Sequence, residues 1–180
     1  MKDFKDKVLS SKPNAVININ IAYTQLERQN FRKDLLAVID EVGFPKENLC
    51  LELTERCRLL DKNFLKNELL FIKSQGIKIA FDDFGTGFSS LELTLFLPLD
   101  AIKIDRSFVI NIENDPKKQS VVGAILRSAN ELGTESTVEG IETESMREML
   151  SGLKATKLQG YFYSRPVTMD ELVELPVFKK

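Results

Sequence analysis

Five acidic side chains stand at the ends of short apolar runs, at Glu52, Asp82, Asp83, Asp105 and Glu139, with Lys103 among them and no histidine in the chain. If they converge, one ammonium faces five carboxylates, and such a cluster cannot stay ionised away from water without further counter-charge. Two divalent ions would supply it. Hard cations held by oxygen ligands activate water near neutral pH and clamp both oxygens of an in-line displacement at phosphorus, a chemistry that needs no histidine. Taken singly each residue says less. An isolated Lys103 reads as a solvated lysine, and an isolated Asn20 as a strand-ending turn residue.

Positioning them falls to a regular series of elements. Apolar runs with β-branched residues alternate with helical patterns along the whole chain, which is the signature of repeated βα units and a parallel sheet. The pattern predicts strands over 15–21, 49–53, 77–81 and 101–104, around 136–138, and near 158–162. Their ends follow one another at intervals of about 30 residues, the length of one βα unit. Helices are predicted over 31–42, ended by Gly43, over 61–75, and over 117–132, ended by Gly133. Their apolar stripes are Leu35, Val38, Ile39 and Val42, then Leu65, Leu69 and Ile72, then Val122, Ile125, Ala129 and Leu132. Thr143 is suited to cap a short helix through Leu150, and Thr168 with Glu171 to form a capping box. Met1 to Lys12 is charged, has few apolar residues, and reads as the tail of something else. A closed (β/α)8 barrel takes about 250 residues, so six units in 180 predict an α/β, TIM-like barrel that is incomplete.

Side chains alternate between the two faces of a strand, so Asn18 and Asn20 oppose Ile17, Ile19 and Ile21. The same split sets Cys50, Glu52 and Thr54 against Leu49, Leu51 and Leu53, and Lys103 with Asp105 against Ile102 and Ile104. A barrel interior built for stability alone carries Val, Ile and Leu, so acids and amides facing inward near strand C-termini favour a ligand or catalytic mouth there. Asp82 and Asp83 lead into Gly85-Thr86-Gly87-Phe88-Ser89-Ser90, a turn whose glycines allow positive φ. It has neither the lysine and spacing of a P-loop nor the GxGxxG pattern.

The composition fits one soluble globular domain, with 43% hydrophobic and 29% charged residues and a net charge of −2. No basic stripe is present, which argues against long nucleic acid as a partner. Cys50 and Cys57 match neither a CxxC pair nor a zinc spacing, so no disulfide is expected. With no signal peptide and no apolar run near 18 residues, the expectation is a cytoplasmic chain without membrane contact.

Six segments in order carry a family resemblance: Asn20-Ile-Ala-Tyr-Thr-Gln-Leu26, Leu51-Glu-Leu-Thr-Glu55, Phe81-Asp-Asp-Phe-Gly-Thr-Gly-Phe-Ser-Ser-Leu91, Leu99-Asp-Ala-Ile-Lys-Ile-Asp-Arg-Ser-Phe108, Val138-Glu-Gly-Ile-Glu-Thr143 and Gln159-Gly-Tyr-Phe-Tyr-Ser-Arg-Pro166. They resemble the EAL domain family, bacterial phosphodiesterases acting on cyclic di-GMP. The resemblance implies a (β/α)8 barrel with an antiparallel first strand, a two-metal site for Mg2+ or Mn2+, and hydrolysis of the cyclic dinucleotide to linear pGpG. It gives metal binding to Asn20, Glu52 and Asp82, with Asp83 serving the second ion. Lys103 takes the place of the lysine that orients the attacking water, and Glu139 that of the glutamate assisting at water and metal. Gln159, Asp105 and Arg106 fall near the substrate. Glu55 and Glu142 match acids that brace the loop at Gly85–Ser89 and a dimer contact beside it.

One departure qualifies the match. The family's Glu-Ala-Leu motif lies on its first strand, ahead of the part matched here, and this chain has no such tripeptide. The resemblance therefore implies a single partial EAL domain over 1–180, lacking its N-terminal strands and one metal ligand, and inactive as this truncated chain. Implied partners are cyclic di-GMP and either a second copy, the absent N-terminal part, or an upstream sensory or GGDEF domain. The alternative is a non-catalytic cyclic di-GMP receptor or protein-interaction module. An unrelated metal-dependent barrel, such as an aldolase or enolase, accounts for the carboxylates but not for the ordered motifs. Val138 stands where the family usually has alanine, and Glu135-Ser-Thr137 makes the fifth strand more polar than expected.

Overall fold

Runs of isoleucine and leucine separated by amphipathic helices pair as parallel neighbours, because each helix carries the chain back to the same end of the sheet. A computed structural model describes residues 1–54, 57, 60–85, 90–176 and 178. The strands β1 (Ile17–Ile21), β2 (Leu49–Leu53), β3 (Lys78–Phe84), β4 (Ala101–Ile104), β5 (Glu135–Val138) and β6 (Lys157–Leu158) form one parallel sheet in sequence order. The helices are α1 (Lys2–Phe4), continued by a π-helical turn over Lys5–Leu9, α2 (Tyr23–Leu26), α3 (Phe31–Val42), α4 (Lys62–Ser74), α5 (Ser90–Phe96), α6 (Pro116–Glu131), α7 (Glu144–Gly152) and α8 (Met169–Glu174). Among the described residues β1 and β6 do not pair, so six βα units make an open arc, an incomplete (β/α)8 barrel.

Local chemistry fixes the helix ends. Asp61 caps α4 by accepting from Phe64 N, Thr143 caps α7 through Met146 N, and Thr168 with Glu171 forms the expected capping box on α8. Gly43 closes α3 in the left-handed conformation, φ 59°. The outward face of the sheet packs on these helices. Leu49, Leu51 and Leu53 of β2 meet Leu65, Leu69 and Ile72 of α4, all buried. A second cluster joins Ile104, Val138 and Ile141 to Val122 and Leu126 of α6 and to Met146 and Leu150 of α7. Burying each such side chain stabilises the fold by about 1.5–3 kcal/mol. Arg32 of α3 clamps Glu68 of α4 with two hydrogen bonds of 2.9 and 3.0 Å.

Three expectations, for Val38, Leu132 and the sixth strand, are corrected. The charged first twelve residues also pack on the fold: Phe4 and Val8, four apart on one helical face, are buried in the main core. Lys7 also pairs with Asp170, so the two ends of the chain meet. Val38 is 53% exposed, because it borders a cavity of about 250 Å³ at the free edge of β1, where no further βα unit packs. Leu132 is 51% exposed as the residue just past α6. The sixth strand stops at Leu158, and turns occupy 160–163. The polar β5 is satisfied internally: buried Ser136 accepts from Thr156 N at 3.1 Å, and its own N–H donates to Thr156 Oγ1 at 3.2 Å.

Candidate functional site

Lys103 stands on the concave face of β4, where only polar neighbours can tolerate it, and its side chain is 8% exposed. Its Nζ lies 3.0 Å from Glu52 Oε2 of β2, 3.1 Å from Asp82 Oδ1 of β3, and 2.7 Å from Glu139 Oε1, just beyond β5. Four elements thus meet at one ammonium. Asn18 of β1 brings in a fifth element, its Nδ2 donating to Glu52 Oε1 at 2.6 Å.

The sheet is irregular at this point. Phe81 pairs with Ile102 and Phe84 with Ile104, so β3 spends one residue more than β4 over the same stretch. Asp82 and Asp83 share that bulge opposite Lys103, with Asp83 at φ 54°. A bulge re-aims side chains that a regular strand would send to opposite faces. Alternation already sets Asp82 on the face of Lys78 and Ala80, which line the concave cavity with Lys103, and the extra residue follows directly after it.

Burial alone would push the Lys103 ammonium down, but the hydrogen bonds and charges of Glu139, Asp82 and Glu52 hold it above its ordinary value. Glu139 is raised by burial, with Lys103 offsetting part of the effect and Asp82 and Glu52 adding to it. Asp82 Oδ1 is buried and has only the ionic contact to Nζ, without hydrogen-bond alignment. Cys50, on the same face, has its thiol pushed up to about 11 by burial and by the Glu52 carboxylate.

The candidate residues fare differently. Glu52, Asp82, Glu139 and Lys103 come together, and Asp83 stands beside them in the bulge. Asn20 pairs in register with Glu52 on the same face but is exposed, and the contact to Glu52 comes from Asn18 instead. Asp105 does not join the cluster. Its Oδ1 accepts from Ser107 N at 2.9 Å and caps the 3-10 turn Arg106–Phe108, a local competitor that the strand pattern conceals. Arg106 and Glu142 are exposed. Gln159 is exposed at the rim of a concave cavity of about 940 Å³ that also reaches Lys103, Asn18 and Cys50. Glu55 and the loop residues 86–89 lie outside the described residues. Asn18 was legible as an inward-facing amide but lacked an acidic or basic character to single it out.

Among the described residues no three Asp, Glu or Cys side chains are arranged to hold a metal ion directly, and the counter-charge is Lys103. The donor chemistry nevertheless fits a hard cation: the cluster presents carboxylate and amide oxygens, and one buried oxygen, Asp82 Oδ1, makes no hydrogen bond.

Comparison with known proteins gives this geometry a context. The EAL domain model matches residues 1–166. The chain is 34% identical over 163 residues to the probable cyclic di-GMP phosphodiesterase PdeG of Escherichia coli, covering 91% of this chain and 32% of PdeG. The EAL domain of Mycobacterium smegmatis DcpA superposes with a TM-score of 0.91 at 31% identity, covering 98% of this chain and 79% of that one. BlrP1 of Klebsiella pneumoniae, in a manganese/cy-diGMP complex, gives 0.80 at 26% identity over 92% of this chain and 43% of that one. The chain spans a fifth to a quarter of the length of several curated relatives that it matches. This chain belongs to the EAL domain family.

Proposed function

We propose that this chain is the larger part of a cyclic di-GMP phosphodiesterase domain, a single partial EAL domain over 1–180. The Lys103-centred meeting of Glu52, Asp82 and Glu139 is the observation that carries this. The names of PdeG and of the BlrP1 complex supply the substrate class. Asn20, Glu52, Asp82 and Asp83 would hold Mg2+ or Mn2+, which supplies charge neutralisation and a more acidic bound water. Lys103, kept protonated, is a hydrogen-bond donor rather than a base, and it orients the attacking water toward phosphorus. Glu139, with its raised carboxyl, takes up the water's proton. The new bond joins the water oxygen to phosphorus, the P–O3′ bond breaks, the O3′ oxygen leaves with a proton, and linear pGpG results. Gln159 lines the concave cavity where the nucleotide would lie, Arg106 is exposed in the turn after β4 and would reach the nucleotide from there, and Glu142 with Glu55 would support the neighbouring loop.

No helix among the described residues is long and apolar enough to cross a membrane, and we place the domain's action in the cytoplasm. The free edge of β1 and the apolar cavity behind it call for a covering polypeptide: a second copy, the strands that would complete the barrel, or an adjoining sensory or GGDEF domain. Incubating cyclic di-GMP and Mn2+ with the chain, alone and joined to a barrel-completing N-terminal segment, tests the proposal by chromatography. Linear product from the completed domain is expected; its absence there overturns the proposal.

A second reading, a non-catalytic cyclic di-GMP receptor or interaction module, is favoured by one observation: Lys103 already neutralises much of the carboxylate cluster without an added ion. Calorimetry in the absence of metal separates the two. A receptor binds the dinucleotide under those conditions without turning it over.

A further inference from the structure

The turn after β4 touches both segments that flank Lys103. A Cβ placed on Gly85 would meet Phe108 Cζ at 2.5 Å and Cε2 at 2.7 Å, so the ring rests directly on that glycine's backbone. Two residues earlier in the same turn, a Cβ on Gly140 would meet Arg106 Cβ at 2.5 Å and Cα at 3.3 Å. Both glycines hold a positive φ, 98° and 79°, which side chains rarely adopt. Gly85 immediately follows β3, whose last residues carry the Asp82–Asp83 bulge, and Gly140 immediately follows Glu139. The turn Arg106–Phe108 is therefore wedged between the two acidic segments, directly beyond the strand that carries Lys103.

The wedge is itself held firmly. Asp105 caps it through Ser107 N, and Lys118 of α6 donates to Ser107 O at 3.1 Å and to Ile110 O at 2.6 Å. Val109 and Ile112 behind it are fully buried. The bulge, by contrast, interrupts its own ladder and contains Asp83 at φ 54°, a left-handed conformation that non-glycine residues adopt sparingly and that persists where surroundings enforce it.

We propose that Phe108 is a positioning residue: its ring, seated on Gly85, sets where the Asp82–Asp83 segment stands relative to Lys103, as Arg106 on Gly140 does for the Glu139 segment. The proposal rests on the reading above in taking the Lys103 cluster as the reaction centre. Phe108 reaches that centre only through Gly85 and the bulge.

The test follows the side-chain ammonium of Lys103 in 1H–15N spectra of the chain, where burial and three carboxylate neighbours make it observable. Phe108→Ala is expected to shift that signal or broaden it away while the amide signals of α6 and α7 persist, and Phe108→Met, which restores reach, is expected to recover it. Phe64→Ala, which removes a partly exposed ring from α4, is expected to leave it in place. An unchanged Lys103 signal in folded Phe108→Ala, or an equal change in Phe64→Ala, overturns the proposal. Should Phe108→Ala not fold, Phe108→Leu takes its role, since leucine keeps the apolar volume but cannot reach Gly85. In parallel, Mn2+ affinity is expected to fall by about tenfold or more in Phe108→Ala and to return in Phe108→Met; equal affinity in the two also overturns it. Where the wild-type chain without its N-terminal ligand takes up no Mn2+, the ammonium signal decides the positioning role by itself, and the phosphodiesterase reading is judged separately on product from the completed domain.

Discussion

At the scale of single residues, Lys103 and Glu139 pull stability in opposite directions. Lys103 is the counter-charge for three carboxylates that are largely shielded from water, and Lys103→Met would leave them facing one another. Removing one partner from a buried charge cluster costs about 3–5 kcal/mol, so the urea midpoint of Lys103→Met is expected to fall accordingly. Glu139 differs in sign. A carboxyl whose folded pKa lies above its unfolded one weighs against folding once the pH rises through that interval, because the folded state then gives up a proton it binds more tightly. Glu139→Gln is therefore expected to melt no lower than the wild type at pH 7, with any gain shrinking as the pH falls through the carboxylate range; on the proposed function, the same change abolishes hydrolysis by the completed domain. A clear drop in its melting point at pH 7 would contradict the burial effect. Most of these residues were legible from their inward alternation and from the acids that end successive strands. Asp105 was misread because the same alternation also fits a carboxylate spent on capping its own turn, and Asn18 was passed over because an amide gives no charge signal.

At the scale of elements, two glycines separate crowding from backbone strain. Gly160 lies so close to the neighbouring chain that a Cβ would stand 2.1 Å from Ile141 O and 2.2 Å from Ile141 N. Those atoms cannot retreat, since Ile141 N donates to Gln159 O at 3.0 Å and Ile141 O accepts from Phe162 N at 2.9 Å. Gly76 has φ +82° but nothing within 4 Å. Gly76→Ala is expected to cost about 1–2 kcal/mol, the penalty of a left-handed L residue, and Gly160→Ala several times more. Parallel thermal melts check this, and equal losses would show that the Ile141 segment yields. Helix ends were the most readable elements, because Gly43, Asp61, Thr143 and Thr168 act through bonds to their own neighbours. The bulge in β3 was not readable, since it is defined only against the register of β4.

At the scale of the whole molecule, the open arc leaves β1 with a neighbour on one side and Val38 bordering an apolar cavity. If that edge is covered by another polypeptide, Val38→Asp is expected to reduce association in sedimentation velocity while changing the monomer's stability by no more than about 0.5 kcal/mol, as an exposed position should. Unaltered association would place the contact elsewhere. The count of βα units made the incomplete barrel legible in advance, whereas the packing of Phe4 and Val8 was hidden by the lysines and aspartates around them. The extra residue in β3 has a consequence for how this sheet tolerates change in length. Deleting either aspartate would give a strand that runs evenly alongside its neighbour and forms a tidier ladder, yet the survivor would be aimed by pleating alone. The more regular sheet would carry one carboxylate fewer beside Lys103, and insertions or deletions at this one step should matter more than substitutions of similar size elsewhere along the strand.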